Sequence, residues 1–445
     1  MNTNHPLDNI RDMILGLDTP VKLSDGRIVP AINLDNAATA PAFKQVADEI
    51  QHQMHYYGSI GRGTGQKSAH SSEIYTAGRD MIKKFLGADD NKYTVFYTGC
   101  TTDGMNKLAS ALITSHQDMI LSTRMEHHAN DLPWRERART VYAEVDSKGR
   151  LILADVERLL KKYNGKIKYV TVTAASNVTG YVNDVHQIAQ MAHSYGAQII
   201  VDGAQIVAHR AFSMAGTSAD ADIDFFVFSA HKMYSPYGGG AVVGLADVLN
   251  QHIPKFYGGG MVDLVTDDNV LYTNVPDLYE AGSPNYPGVV GMLEAMKILD
   301  AIGFDAIADH EQRLLKRTLN GRLGLPGITF YGDNHKIYDR VGILVFNFDG
   351  IDCEIIANEL ADRAAIAVRH AKFCAHPYVQ RLLERPKTNS HSIPSGMVRI
   401  SFGVYNTEEE VDYLVKTIRE LRGKLSAIGM KKLNASSLNI LHDRG

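Results

Sequence analysis

The sequence predicts an α/β protein: a large domain around a mostly parallel central sheet, followed by a smaller α+β domain at the C-terminal end. Three observations carry that expectation. Short apolar runs of strand type alternate with segments of helical periodicity from about residue 93 to residue 230, the rhythm of strand–helix–strand units. The run 198–202 is apolar almost throughout and stops in an acid, which suits a parallel strand covered on both faces, with Asp202 at the carboxyl edge where open α/β sheets bind ligands. From about residue 300 the texture changes to longer helices and alternating strands such as 342–348. The expected organisation is an N-terminal segment, 1–30, packing on the small domain; a large domain, 31–299; the small domain, 300–430; and a tail, 431–445.

Composition narrows the function classes. A chain of 445 residues, 44% apolar and 22% charged, has the balance of a globular protein with a large core. A net charge of −4 with scattered basic residues gives no field to recruit nucleic acid or an anionic membrane. No secretory leader pattern opens the chain and no apolar run reaches the length of a membrane span, so the cytoplasm is the expected address. Cys100, Cys353 and Cys374 lie far apart without a Cys-x-x-Cys pair, which suggests neither a disulfide framework nor a metal site.

Taken in order, residues 8–16 read as a short helix and 22–29 as a small hairpin around Ser24-Asp25-Gly26. Residues 32–41 read as a strand running into small side chains before a helix of about four turns from Pro41. Small residues there let backbone approach a ligand, although an ordinary helix entry is the simpler account of the stretch alone. The glycine loop 58–68 fails as a phosphate loop because Gln66 separates Gly65 from Lys67; Arg62 is its one strongly functional side chain. A helix over 68–86 stops at Gly87.

A strand over 93–98 then runs through Gly99 and Cys100 into a helix that opens on Thr101 and Thr102. Free N–H groups and the helix dipole make such an end an anion site, with simple capping as the alternative. Cys100 reads as a small buried filler and Cys353, at a helix start, as structural. The strand 118–123 ends in Glu126-His127-His128-Ala129-Asn130, where adjacent histidines cannot share one metal. An imidazole stacked on a planar ligand and an exposed loop pair both remain open. The pattern repeats with a strand over 169–173 and a helix over 185–195. Loops are expected over 254–260 and 279–287, and a helix over 289–299.

The segment 222–240 organises the rest: an apolar run delivers Ser229, His231 and Lys232 at its end before Pro236 and three glycines break the chain. A lysine leaving an apolar strand with its amine in a cavity has a lowered pKa and can form a Schiff base. Alone, the motif also fits a strand whose lysine reaches solvent. Together with the blocks Asp35-Asn36-Ala37-Ala38-Thr39, Glu126-His127-His128-Ala129-Asn130, Ser176-Asn177-Val178-Thr179-Gly180 and Val201-Asp202-Gly203-Ala204-Gln205, it resembles the class V aminotransferase family of fold-type I pyridoxal-phosphate enzymes.

That resemblance implies that Lys232 binds the cofactor and moves the substrate α-proton, and that Asp202 pairs with the pyridine nitrogen. It implies that His127 stacks on the ring and that Asn177 and Gln205 lie on its oxygen side. Thr101, Thr102, Ser229 and His231 would anchor the phosphate, and Ser283 would reach the phosphate of a partner in a homodimer. The segment Arg369-His370-Ala371-Lys372-Phe373-Cys374 further resembles the loop of group II (SufS-like) cysteine desulfurases, where the cysteine accepts sulfur. The family loop usually reads Arg-x-Gly-His-His-Cys, so its residues 371–373 are altered here, and Gly61 stands where a histidine often precedes Arg62. Asn36, Arg62, Arg369 and Arg399 are the expected substrate contacts, and a guanidinium suits an amino-acid carboxylate. The implied reaction converts L-cysteine to L-alanine and leaves a persulfide on Cys374, for transfer to an acceptor protein. A selenocysteine lyase, C–S lyase, epimerase or aminotransferase, or a non-catalytic cofactor-binding regulator, are the alternatives.

Overall fold

The computed structural model describes residues 7–61, 63–321, 325–384 and 394–424. Arg62 and the expected tail lie outside the described residues. Seven strands form the large sheet: β1 (Tyr93–Thr98), β2 (Met119–Thr123), β3 (Arg139–Ala143), β4 (Ile167–Thr173), β5 (Gln198–Asp202), β6 (Phe225–Ser229) and β7 (Gly240–Leu245). Their spatial order is β1-β7-β6-β5-β4-β2-β3, and only β7 runs against the others. Helices cover both faces, so successive side chains of one strand enter different cores. Phe226 and Phe228 point into one apolar cluster while Phe225 and Val227 point into another. Each such buried side chain contributes about 1.5–3 kcal/mol over its exposed state.

A second sheet lies C-terminal to the first. It comprises β8 (Ile328–Phe330), β9 (Ile343–Phe348), β10 (Arg369–Ala371) and β11 (Met397–Ser401), antiparallel in the order β8-β9-β11-β10. Helices Phe304–Gly321 and Cys353–Ala364 pack on it through Leu314, Leu315, Ile356 and Leu360. The N-terminal stretch touches both halves. Ser24 and Arg27 donate to the carbonyls of Asp362 and Arg363, whereas Ile10 and Ile14 sit in the core of the large sheet. The short strand Ile32–Asn33 pairs in parallel with Ile366–Ala367 and carries Leu34 into the second core.

Three elements differ from expectation: the short helix expected over 8–16 is a four-residue 3₁₀ helix, Ile10–Met13, and two others are displaced. The helix expected from Pro41 begins at Lys44 and runs 11 residues to Met54, because Phe43 is still extended and donates its N–H to the Tyr234 carbonyl. The segment expected as loop through residue 287 contains the start of helix Tyr286–Ile302: the Asn285 side chain accepts from the Gly288 N–H, and Pro287 occupies the first turn. Among the described residues no helix is long and apolar enough to cross a membrane.

Candidate active site

Strand β6 hands over to a single 3₁₀ turn, Ala230–Lys232, at the carboxyl edge of the sheet. The turn is pinned by Ala230 N–H to the Gly239 carbonyl (3.0 Å) and by Ala40 N–H to the His231 carbonyl (2.9 Å). Lys232 is thereby directed into a cavity of about 200 Å³, lined also by His127, Asp202, Thr101, Cys374 and Arg399. Burial pulls the Lys232 amine down to about 8, Asp202 opposing and Arg399 adding to the effect.

Asp202 arrives from the neighbouring parallel strand, opposite Val227. Its Oδ1 accepts the Ala204 N–H at 2.9 Å. Burial pushes this carboxyl above the usual range, with the Ala204 N–H and Lys232 opposing. Behind it lies a second buried acid, Glu126, which accepts from Thr123 Oγ1 (2.6 Å), Asn130 Nδ2 (2.7 Å) and Thr173 N–H (3.1 Å). Thr173 is the strand partner of Asp202, so the two acids share one strand edge. Burial raises Glu126 to about 8 against those donors, and Asp202 adds to the rise.

His127 is neutral in this setting. Its Nδ1 accepts the Ala129 N–H at 3.0 Å, which leaves the proton on Nε2, and burial beside Lys232 holds its pKa to about 3. His128 serves the Cys374 loop instead: its N–H donates to the Cys374 carbonyl (2.7 Å) and its Nε2 accepts from His376 N–H (3.4 Å). The pair of adjacent histidines thus divides between cavity and loop.

At one end of the cavity the 12-residue helix Thr101–Leu112 presents its N-terminus. Ser229 Oγ lies 2.7 Å from both the Thr101 N and Thr101 Oγ1, joining the helix to the end of β6. His231, which also lines the cavity, is held to about 4 by burial and by Lys232. Gln205 donates to the Ala37 carbonyl at 2.8 Å, while its Oε1 is buried without a hydrogen-bond partner.

The second sheet supplies the opposite wall. Arg369 and Arg399 face each other across β10 and β11. Arg399 donates to the Asn177 carbonyl (2.9 Å) and to Asp35 Oδ1 (2.8 Å), and its buried Nε has no hydrogen-bond partner. Burial lowers its guanidinium below the usual arginine range, Asp35 opposing. The Phe373 ring lies 5.1 Å from that guanidinium, and the Phe373 carbonyl accepts from Asn177 Nδ2 at 2.8 Å. Cys374 follows, exposed yet lining the cavity. Ala371, Phe373 and Cys374 have φ of 86°, 50° and 53°, a left-handed stretch that costs about 1–3 kcal/mol per residue without glycine.

The sequence profile described as aminotransferase class-V matches residues 32–414. The chain belongs to the class-V aminotransferase family. A cysteine desulfurase of Haloferax volcanii is 34% identical over 407 residues, covering 89% of this chain and 91% of its own. A cysteine desulfurase of Escherichia coli O127:H6 is 33% identical, covering 91% and 96%. Among solved structures, the apo cysteine desulfurase of Thermococcus onnurineus NA1 superposes with a TM-score of 0.80 at 29% identity, covering 88% of this chain and 95% of its own. An Escherichia coli cysteine desulfurase superposes at 0.78 with 27% identity, covering 95% and 100%.

Of the residues expected from sequence, Thr101, Thr102, His127, Asn177, Asp202, Gln205, Ser229, His231, Lys232, Arg369, Cys374 and Arg399 all line this class-V cavity. Asn36 does not. Its Nδ2 donates to the carbonyls of Ser401 (2.9 Å) and Asn33 (3.3 Å) and to Asn406 Oδ1 (3.2 Å), and its Oδ1 accepts from the Tyr405 hydroxyl (2.7 Å). The amide is consumed in joining the N-terminal stretch to the end of β11 and the residues after it, and has nothing left for a substrate. Ser283 lines a separate hollow with Tyr97, Gly239 and Glu280. Cys100, expected as a buried filler, is partly exposed and lines the cavity. Asp35, Glu126 and Phe373 were missed as parts of the site; their only signal was adjacency to Asn36, His127 and Cys374.

Proposed function

We propose that this chain is a pyridoxal-phosphate-dependent cysteine desulfurase, converting L-cysteine to L-alanine while Cys374 takes the sulfur. The observation that carries the reading is the convergence of Lys232, Asp202, Arg399 and Cys374 on one cavity. The names borne by the relatives support it.

The residues present suit the cofactor. The Thr101 helix end with Ser229 and His231 would hold a phosphate, Lys232 has the lowered pKa that favours reaction with an aldehyde, and Asp202 would face a ring nitrogen. The unpartnered Gln205 Oε1 is an acceptor waiting for a polar group, and the neutral His127 ring offers a flat face. When bound, pyridoxal phosphate supplies an electron sink that stabilises negative charge at the substrate α-carbon.

The remaining work falls to this chain's side chains. Arg399, with its unpartnered Nε, grips the substrate carboxylate, aided by Arg369. Lys232 takes the proton from the α-carbon. Cys374, having given up its proton, bonds its sulfur to the substrate sulfur as the Cβ–S bond breaks and that electron pair goes to Cβ; Cβ takes up a proton to become the methyl group, and Lys232 returns a proton to the α-carbon to complete L-alanine. The persulfide left on Cys374 is discharged by a thiol of an acceptor protein. Phe373 over Arg399 keeps water from the carboxylate site. The same reading takes the enzyme to be a cytoplasmic homodimer in which Ser283 serves the partner's phosphate.

Purified protein incubated with L-cysteine, with and without a reductant, tests the proposal by scoring alanine. Wild type should form alanine and carry a persulfide at Cys374 detectable by mass spectrometry, and Cys374→Ala should form none while keeping its cofactor absorbance. Undiminished alanine formation in Cys374→Ala would indicate a lyase without persulfide chemistry, and no alanine from wild type would remove desulfurase altogether.

A further inference from the structure

Asp35 stands between the two arginines of the second-sheet wall. Its Oδ1 accepts from Arg399 Nη2 at 2.8 Å and its Oδ2 lies 3.8 Å from Arg369 Nη1. The backbone fixes it there: its N–H donates to Asn33 Oδ1 at 3.0 Å, and the residue bridges in parallel to Ser401 at the end of β11. Arg399 is 2% exposed, so its charge is felt strongly within the cavity.

Two guanidiniums and one carboxylate leave a single net positive charge on this wall. We propose that Asp35 is a specificity-determining residue that matches the wall to an amino acid with one carboxylate and an uncharged side chain. A ligand with a second anionic group on its side chain exceeds that single charge, because Asp35 offsets one of the two arginines, and is disfavoured. The proposal rests on the reading of Arg399 as the carboxylate anchor and goes beyond it by assigning the preference for side-chain charge. Asp35 is spared a merely structural role by redundancy, since Asn177 holds Arg399 independently at 2.9 Å.

The test titrates the cofactor-loaded protein with L-alanine and L-aspartate and reads the cofactor absorbance change at equilibrium, without turnover. Asp35→Asn keeps an acceptor for Arg399 and removes only the charge. It should tighten L-aspartate relative to L-alanine by about tenfold, the scale of one charge changed in a partly buried site, while Asp35→Glu keeps the wild-type ratio. Arg399→Gln should weaken both ligands. A ratio unchanged in Asp35→Asn, or a parallel loss of both ligands, overturns the proposal while leaving the anchor reading intact if Arg399→Gln still weakens both. Should Arg399→Gln bind both ligands normally, the anchor reading and the proposal fall together. If Asp35→Asn does not load cofactor, Arg369→Gln reports the same balance with opposite sign. It should weaken L-aspartate relative to L-alanine by about tenfold, and an unchanged ratio again overturns the proposal.

Discussion

A Cβ placed on Gly396 would lie 2.5 Å from the Ala371 Cα, so these two residues fit together only because residue 396 carries no side chain. Ala371 is the cross-strand neighbour of Met397 and opens the left-handed stretch that presents Cys374. Gly396→Ala is expected to lower stability by about 1–3 kcal/mol through overpacking. It should slow alanine formation while cofactor loading persists, because the displaced backbone belongs to the Cys374 loop and not to the Lys232 turn. Ala371→Gly relieves a φ of 86° and should raise stability by about 1 kcal/mol. Denaturant titration of both variants checks each value.

Capture of the cofactor by apo-protein needs the neutral Lys232 amine. Burial lowers that amine to about 8 from its ordinary 10.5, so the capture rate should rise with pH and level off above about 8. Stopped-flow absorbance after mixing with pyridoxal phosphate follows this directly. A rate still climbing toward the ordinary lysine range would refute the desolvated setting of the amine.

Asp202→Asn preserves the shape of the side chain and removes its charge. The variant should still load cofactor at Lys232, because the helix end and the amine are untouched. Alanine formation should fall by about 10²–10³-fold, the range seen when a preorganised electrostatic partner of the reacting system is removed. Borohydride trapping with mass spectrometry verifies loading, and an L-cysteine assay verifies the loss.

Glu126 gives a pH signature separate from turnover. Its folded pKa, about 8, lies above its ordinary 4.5, so its contribution to stability is complete below about 4.5 and is lost as the pH rises through about 8. Wild type should therefore lose stability relative to Glu126→Gln across that window, and the two should change in parallel above it. Denaturant unfolding at pH 5, 7 and 8.5 measures the difference. A gap that does not change with pH would mean the acid is ionised throughout.

The large sheet was legible because 199–201 and 225–228 are unbroken apolar runs that lead into polar residues, and such runs leave few options for placing Asp202 and Lys232. The second wall was legible only as a motif. Nothing in the order of residues shows that Arg399 and Arg369 face each other with Asp35 between them, since Asp35 lies more than 300 residues from either arginine. Asn36 was misread for the same reason: its four partners at 33, 401, 405 and 406 fill its amide, and three of them are remote in sequence. Glu126 escaped notice because an acid beside two histidines looks exposed until the ends of three elements close over it.

The Asn36 joint also bears on how the protein is made. Residue 36 leaves the ribosome 365 to 370 residues before its partners at Ser401, Tyr405 and Asn406. A chain cut between these two stretches therefore has a lysine and an acid but an incomplete opposite wall. On the proposed reading, it is the hold on a substrate carboxylate, and not cofactor loading, that waits for the later stretch.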